Sequence, residues 1–323
     1  MPAGYDLIGD IHGYLAPLET LLHRLGYERD GTGWRHPSRQ VIFVGDFVDR
    51  GPDQRAVVNL ARTMVDSGAA LTVMGNHEFN ALAFHTEDPD QQGTLRRRSN
   101  RNIRNHLAFL DDYLGSRDAE AELPAALDWF MELPLFLDLG DLRVVHACWD
   151  PDALAVLQPR LAPGNRLTRE LLVEACRRDT DVFRAVEILL KGKEIKLPED
   201  HSFRDKDGVA RQRIRIRWWE PGPHTYRSLF MGPTSAEAHI PDRPVSTDYE
   251  LDYGAEEPPV FVGHYWMDGE PAPLADNVAC LDYSVARPGG KLVAYRWDGE
   301  QQLDAGKFVA VERGKTQDES SKK

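Results

Sequence analysis

The first 75 residues alternate short apolar runs with stretches of helical period. Residues 5–8, 40–44 and 70–74 are apolar runs of strand length, and residues 15–25 and 53–64 between them repeat apolar positions every three or four residues. This order predicts strand, helix, strand, helix, strand, the signature of an α/β fold. Each predicted strand ends in a glycine followed by a polar residue: Gly9-Asp10, Gly45-Asp46 and Gly75-Asn76. Three polar clusters are therefore expected on loops at one carboxyl edge of a sheet, where α/β proteins build their sites.

Beyond Gly75 the pattern turns helical, broken by a polar stretch at 86–94 and an arginine run that includes Arg96, Arg97, Arg98, Arg101 and Arg104. Residues 133–145 predict a β-hairpin turning at Gly140-Asp141, because apolar residues flank a turn-forming pair. From 150 to 258 the strand signal weakens and proline is frequent, which predicts an insertion or cap with helices near 169–178 and 181–191. Strand patterns return at 259–262, 277–281 and 291–296. The expected organisation is a core of 1–149 and 259–313, a cap of 150–258, and a polar tail of 314–323 expected to be disordered.

The formal charge of -13 argues against broad nucleic-acid binding, which demands a basic surface. Residues 166–217 run the other way, with 14 Lys and Arg against 10 Asp and Glu. That segment reads as a mixed solvated surface or as a basic cover for a phosphorylated substrate. No apolar run is long enough to span a bilayer, and the N-terminus carries no basic segment ahead of a signal-like apolar stretch. Three cysteines, Cys148, Cys176 and Cys280, lie far apart without a C-x-x-C spacing, as reduced thiols do. The expected compartment is the cytoplasm.

The strand ends carry the chemistry. They read Gly-Asp10-Ile-His12-Gly, Gly-Asp46-Phe-Val-Asp49-Arg50-Gly-Pro and Gly-Asn76-His77-Glu78, followed later by Val-Val-His146 and Val-Gly-His264. Singly, each fragment has a bland explanation: an Asp-x-His closing a turn, or an Asn opening a helix as its N-cap. Five in succession, each after a strand, bring carboxylate, imidazole and amide groups to one place. Such an oxygen and nitrogen set without thiolate suits Mn, Fe or Zn.

These residues resemble the calcineurin-like metallophosphoesterases, and within them the phosphoprotein phosphatase branch that includes bacterial serine/threonine phosphatases and diadenosine tetraphosphatases. The resemblance rests on GDIHG, GDFVDRGP, GNHE, VVH and GH in this order, with residues 280–292 similar to the bacterial members' closing strand pair. It covers residues 1–82, 134–149 and 259–296 and leaves the cap out. It implies an α/β fold, a two-sheet β-sandwich flanked by helices with an inserted cap. It also implies two divalent metal ions, Mn or alternatively Fe or Zn. Asp10 and His12 would hold one, Asp46 would bridge both, and Asn76, His146 and His264 would hold the second. His77 paired with Asp49 would give the leaving group its proton, and Arg50 would clamp a phosphate oxygen. Two cations roughly 4 Å apart acidify a water for in-line attack on phosphorus, so the chemistry agrees.

Glu78 is expected to support the helix start. Arg213, Arg215 and Arg217 alternate as a strand would, making Arg215 or Arg217 the candidate second clamp, with a charged solvent-facing edge as the other reading. Tyr265 and Trp266, where the branch commonly has threonine and proline, either stack on a nucleobase or pack under the cap. Cys148 reads as a small buried thiol.

The expected activity is hydrolysis of phosphate monoesters, including phosphorylated serine or threonine in proteins. The alternative is cleavage of a dinucleoside tetraphosphate or another nucleotide diester. The expected substrates are thus a phosphorylated small molecule, a nucleotide or a phosphoprotein, with no membrane partner. A third reading, a binding scaffold that has lost catalysis, is disfavoured because a scaffold has no use for His77, Asp49 and Arg50 beside a metal pair.

Overall fold

The computed structural model describes residues 2–31, 33–204, 210–232, 234–245 and 253–314. Two sheets face each other. In the larger, Gly4–Ile8, Arg39–Phe43 and Ala70–Thr72 run parallel, Lys291–Trp297 pairs antiparallel with Gly4–Ile8, and Asp282–Tyr283 and Phe308–Glu312 pair with Lys291–Trp297. The smaller has the order Val278–Cys280, Val260–Val262, Arg143–Val145, Phe136–Asp138.

The period-2 pattern explains why both faces of each sheet are buried. Leu7, Ile42, Val144, Phe261 and Ala279 meet between the sheets, with Val293 and Tyr295. Their neighbours Ile8, Val41, Phe43, Val145, Val260 and Val262 point outward into a second cluster, against apolar residues of the flanking helices. Helix Gln54–Asp66 supplies Val57, Val58 and Ala61, and Asp181–Lys191 supplies Val182, Ala185, Val186 and Leu189, each along one stripe. The expected α/β sandwich with flanking helices is what forms.

Strand and helix positions follow the apolar pattern to within a few residues. Asp181–Lys191 forms as expected, and the hairpin Phe136–Asp138 with Arg143–Val145 closes around Gly140 at φ 87°. The expected cap of 150–258 divides between two clusters. Helices Pro151–Leu157, Arg169–Ala175 and Asp181–Lys191 bury their apolar faces in the main core. Ile195, Leu197, Ile214, Ile216, Leu229 and Ile240 form a small core of their own, built on the antiparallel pair Glu194–Lys196 and Arg213–Arg215. The tail expected to be disordered lies, apart from Gly314, outside the described residues. No helix among the described residues is long and apolar enough to cross a membrane.

Two glycines let the site's loops touch. A Cβ on Gly45, itself at φ 94°, would lie 2.4 Å from the Gly75 nitrogen, and one on Gly75 would lie 2.2 Å from Asp46 Oδ1. Any larger residue at either place would push apart the loops that carry Asp46 and Asn76.

Candidate metal centre

The five strand-end motifs converge. Asp46 sits at their middle: its Oδ2 lies 3.4 Å from His146 Nε2 and 3.8 Å from both His12 Nε2 and His77 Nε2. Its Oδ1 accepts the His77 backbone N–H at 2.9 Å. The ligand atoms of His12, Asp46 and His77 lie within 4.8 Å of one another, as do those of Asp46, His146 and His264.

Backbone carbonyls aim two of the imidazoles. Nδ1 of His12 donates to the Val48 carbonyl at 2.9 Å and Nδ1 of His146 to that of Val44 at 2.8 Å, which turns each Nε2 inward. The inward atoms then lack a hydrogen-bond partner. Asp10 Oδ1, His12 Nε2, Asn76 Oδ1, His146 Nε2 and His264 Nε2 are all buried with no hydrogen bond. Orphaned buried polar atoms are costly unless something else engages them. Five such atoms beside one carboxylate, all oxygen or imidazole nitrogen, fit a pair of borderline divalent cations.

Electrostatics follow from packing two carboxylates and several imidazoles out of water. Burial, then the negative charges of Asp282 and Asp46, push the Asp10 carboxyl well above its ordinary range. Burial works to raise Asp46 too, yet His146, His77 and His12 hold it well below that range. Burial and the neighbouring His77 push His12 down to about 3. For His146 burial is overridden by Asp46, which raises it to about 10. His264 is held low by burial and the Arg215 charge.

His77 is held differently. Its Nδ1 lies 2.5 Å from Asp49 Oδ2, and although burial acts to lower its pKa, Asp46 and Asp49 raise it above the ordinary value. Both carboxylates thus favour the protonated imidazole, whose Nε2 faces the centre, 3.8 Å from Asp46 Oδ2. The Arg50 guanidinium lies 4.1 Å from the centroid of the Trp266 ring.

Six residues here adopt positive φ: His12 50°, Asp46 53°, Asp49 69°, Arg50 80°, His264 68° and Trp266 53°. The left-handed region costs a non-glycine residue about 1 to 3 kcal/mol and is held only where surroundings impose it. Glu78 is one such constraint. Fully buried, it accepts the backbone N–H groups of Asp46, Phe47, Val48 and Gly75 at 2.9, 2.8, 3.3 and 3.0 Å. Burial and Asp46 push it up to about 7 against the pull of His77, His146 and the Asp46 N–H.

Two cavities open from the centre and share Arg50, Asn76 and His77. One, of about 910 Å³, is lined by Asp46, His264, Arg215, Arg217, Trp266 and Arg287 among others. The other, of about 680 Å³, lies on the Asp49 side and has Arg96, Arg101, Arg104 and Asn80 on its wall. Of the alternating arginines, Arg213 turns away and donates to the Glu194 carbonyl, while Arg215 and Arg217 reach the larger cavity. Arg215 Nε is buried without a partner. The two aromatics also separate. Tyr265 is buried, donates to the Ala147 carbonyl and accepts from Trp218, whereas Trp266 lines the cavity between the arginines 50 and 287. Cys148 is buried, and burial pushes its thiol up.

Two participants went unread in the sequence. His106, alone in a basic helical run, places Nδ1 2.8 Å from Asp49 Oδ1. Asp282 accepts the backbone N–H groups of Trp266 and Ser284, both at 2.9 Å, and so shapes the loop after His264. Its position just past a strand would have marked it as another strand-end carboxylate.

With this geometry in hand, residues 5–151 match the calcineurin-like phosphoesterase family. Over 73 residues the chain is 47% identical to the asymmetrical bis(5'-nucleosyl)-tetraphosphatase PrpE of Oceanobacillus iheyensis, a stretch covering 22% of this chain and 29% of that protein. Over 159 residues it is 32% identical to the symmetrical bis(5'-nucleosyl)-tetraphosphatase of Shewanella baltica, covering 48% of each. The chain thus spans half or less of the length of these relatives. A serine/threonine phosphatase structure from Saccharomyces cerevisiae, described as similar to human phosphatase PP5, superposes with TM-score 0.52 at 14% identity, covering 97% of this chain and 81% of that one. That likeness is one of fold.

Proposed function

We propose, from the premise that residues 5–151 of this chain belong to the calcineurin-like phosphoesterase family, that the protein is a two-metal phosphoesterase acting on phosphate monoesters. The observation that carries this reading is the set of five orphaned, buried donor atoms gathered around Asp46. On this reading Asp10 and His12 would hold one cation, Asn76, His146 and His264 the other, and Asp46 would serve both. When bound, two divalent ions, Mn or alternatively Fe or Zn, polarise a phosphoryl oxygen and acidify a water as nucleophile. The chain does the rest. Arg50 offers a guanidinium to a phosphoryl oxygen, and Arg215 or Arg217 offers a second from the larger cavity. Asp49 keeps the His77 Nδ1–H oriented, so that the proton on Nε2 can pass to the departing oxygen. Three unpaired cysteines support a reducing compartment, and we place the protein in the cytoplasm.

A second reading, cleavage within a nucleotide polyphosphate, is favoured by one observation. Arg96, Arg101 and Arg104 line the cavity on the Asp49 side, and Trp266 lines the other, so a charged phosphate chain and a base each have a surface to meet. The names of the tetraphosphatase relatives point the same way. The test is a panel: the Mn-loaded protein assayed against a phosphomonoester, a phosphodiester, a dinucleoside tetraphosphate and a phosphopeptide. Turnover of the monoester and phosphopeptide supports the first reading, and preference for the tetraphosphate supports the second. Turnover of none of them overturns both.

A further inference from the structure

A carboxylate has two oxygens, and on Asp49 both are claimed by imidazoles. Oδ2 meets His77 Nδ1 at 2.5 Å, and Oδ1 meets His106 Nδ1 at 2.8 Å. An ionised carboxylate only accepts, so both imidazoles present N–H at Nδ1. His106 is held firmly. Its ring stacks on Phe109 with centroids 4.5 Å apart and planes 16° apart, and packs against Phe84 at 5.1 Å. Its backbone N–H reaches the Asn102 and Ile103 carbonyls at the junction of helices Asn100–Asn105 and Leu107–Leu114. On the far side its Nε2 lies 3.3 Å from His85 Nε2. Whichever of these two nitrogens carries the shared proton, His106 Nδ1 keeps its own and still donates to Asp49.

We infer that His106 is a positioning residue for leaving-group protonation, fixing the Asp49 carboxylate so that its second oxygen is committed to His77. Without that donor, Asp49 can rotate about its side-chain bonds, and the direction of the His77 Nε2–H loses its anchor. Small misplacement of a reacting group costs rate rather than affinity. The inference rests on the reading that His77 delivers the proton.

The test compares His106→Phe, which keeps the stack and deletes the donor, with His106→Asn, whose amide nitrogen replaces Nδ1. An alkyl phosphate and an aryl phosphate with an acidic leaving group serve as substrates. His106→Phe is expected to lower kcat on the alkyl ester about ten- to a hundredfold. KM should stay within about twofold, metal content should be unchanged, and the aryl ester should lose less. His106→Asn should recover most of the loss. Should His106→Phe fail to fold, His106→Leu serves as the donorless variant. Wild-type turnover in the donorless variant, equal losses for Asn and Phe, or a loss carried in KM or metal content would overturn the inference. His77→Asn is the control on the underlying reading. If it too leaves alkyl-ester turnover untouched, the proton-donor reading fails. If it is impaired while His106→Phe is not, the positioning inference fails alone.

Discussion

Asp46 faces three imidazoles through one oxygen and the start of helix Asn76–His85 through the other. On the proposed two-metal reading, neutralising it removes the charge that offsets both cations, so Asp46→Asn is expected to nearly abolish turnover and lower metal content. Metal analysis with two ions retained and normal turnover would refute its role. His77→Asn should give another pattern, with metals kept and the rate on poor leaving groups down by roughly a hundredfold or more. Acidic aryl leaving groups should lose less, and a series of esters of graded leaving-group pKa checks it. The strand-end residues were legible because each motif is contiguous and each follows an apolar run that fixes its place. His106 was not, since its partner Asp49 is 57 residues distant on another loop and nothing local marks the pair. Glu78 was legible in place only. Its four backbone donors come largely from the loop after another strand.

The strand Arg213–Arg215 shows how an element sorts like residues. Its pairing with Glu194–Lys196 buries Ile214, turns Arg213 to Glu194 and leaves Arg215 facing the cavity. Arg215→Ala is therefore expected to raise KM or lower kcat roughly ten- to a hundredfold with metal retained, as loss of a charge-assisted hydrogen bond does. Arg213→Ala should have little effect, and Arg215→Lys should rescue poorly because it lacks the forked geometry. Equal kinetics for the Arg213 and Arg215 variants would count against the clamp. Alternation in the sequence placed these arginines on one side of a strand without revealing which of them meets Glu194. Helices and strands of the sandwich were readable because their apolar period is imposed by burial on one or both faces. The short pair Glu28–Asp30 and Gly33–Arg35 went unread, because most of its residues are polar and exposed and leave no period to see. The helices of 151–191 looked like part of a cap because no sequence pattern tells which surface an amphipathic stripe will cover.

At the scale of the molecule, the buried histidines tie stability to pH. His12 titrates near 3 when folded and near 6.5 when unfolded, so between those values the unfolded chain binds the extra proton and acid favours unfolding. His146 runs oppositely. Its folded value is about 10, so its contribution is full below about 6.5 and is lost as pH rises toward 10. Chelator-treated protein is expected to lose stability along both limbs, and denaturation midpoints from pH 5 to 9 measure it. His146→Asn should flatten the alkaline limb. On the proposed ligand set, metal uptake displaces the His146 proton, so loading should release protons and tighten as pH rises. The left-handed backbone of the site has an evolutionary consequence. Arg50, at φ 80°, occupies a conformation that glycine adopts freely, so Arg50→Gly should raise the melting temperature by a few degrees while impairing turnover. Calorimetry alongside an activity assay would show both, and an unchanged or lower melting temperature would mean the neighbours, and not the residue, bear the strain. A population of this gene screened only for heat survival would drift toward glycine at such positions and shed its chemistry while its fold grew hardier.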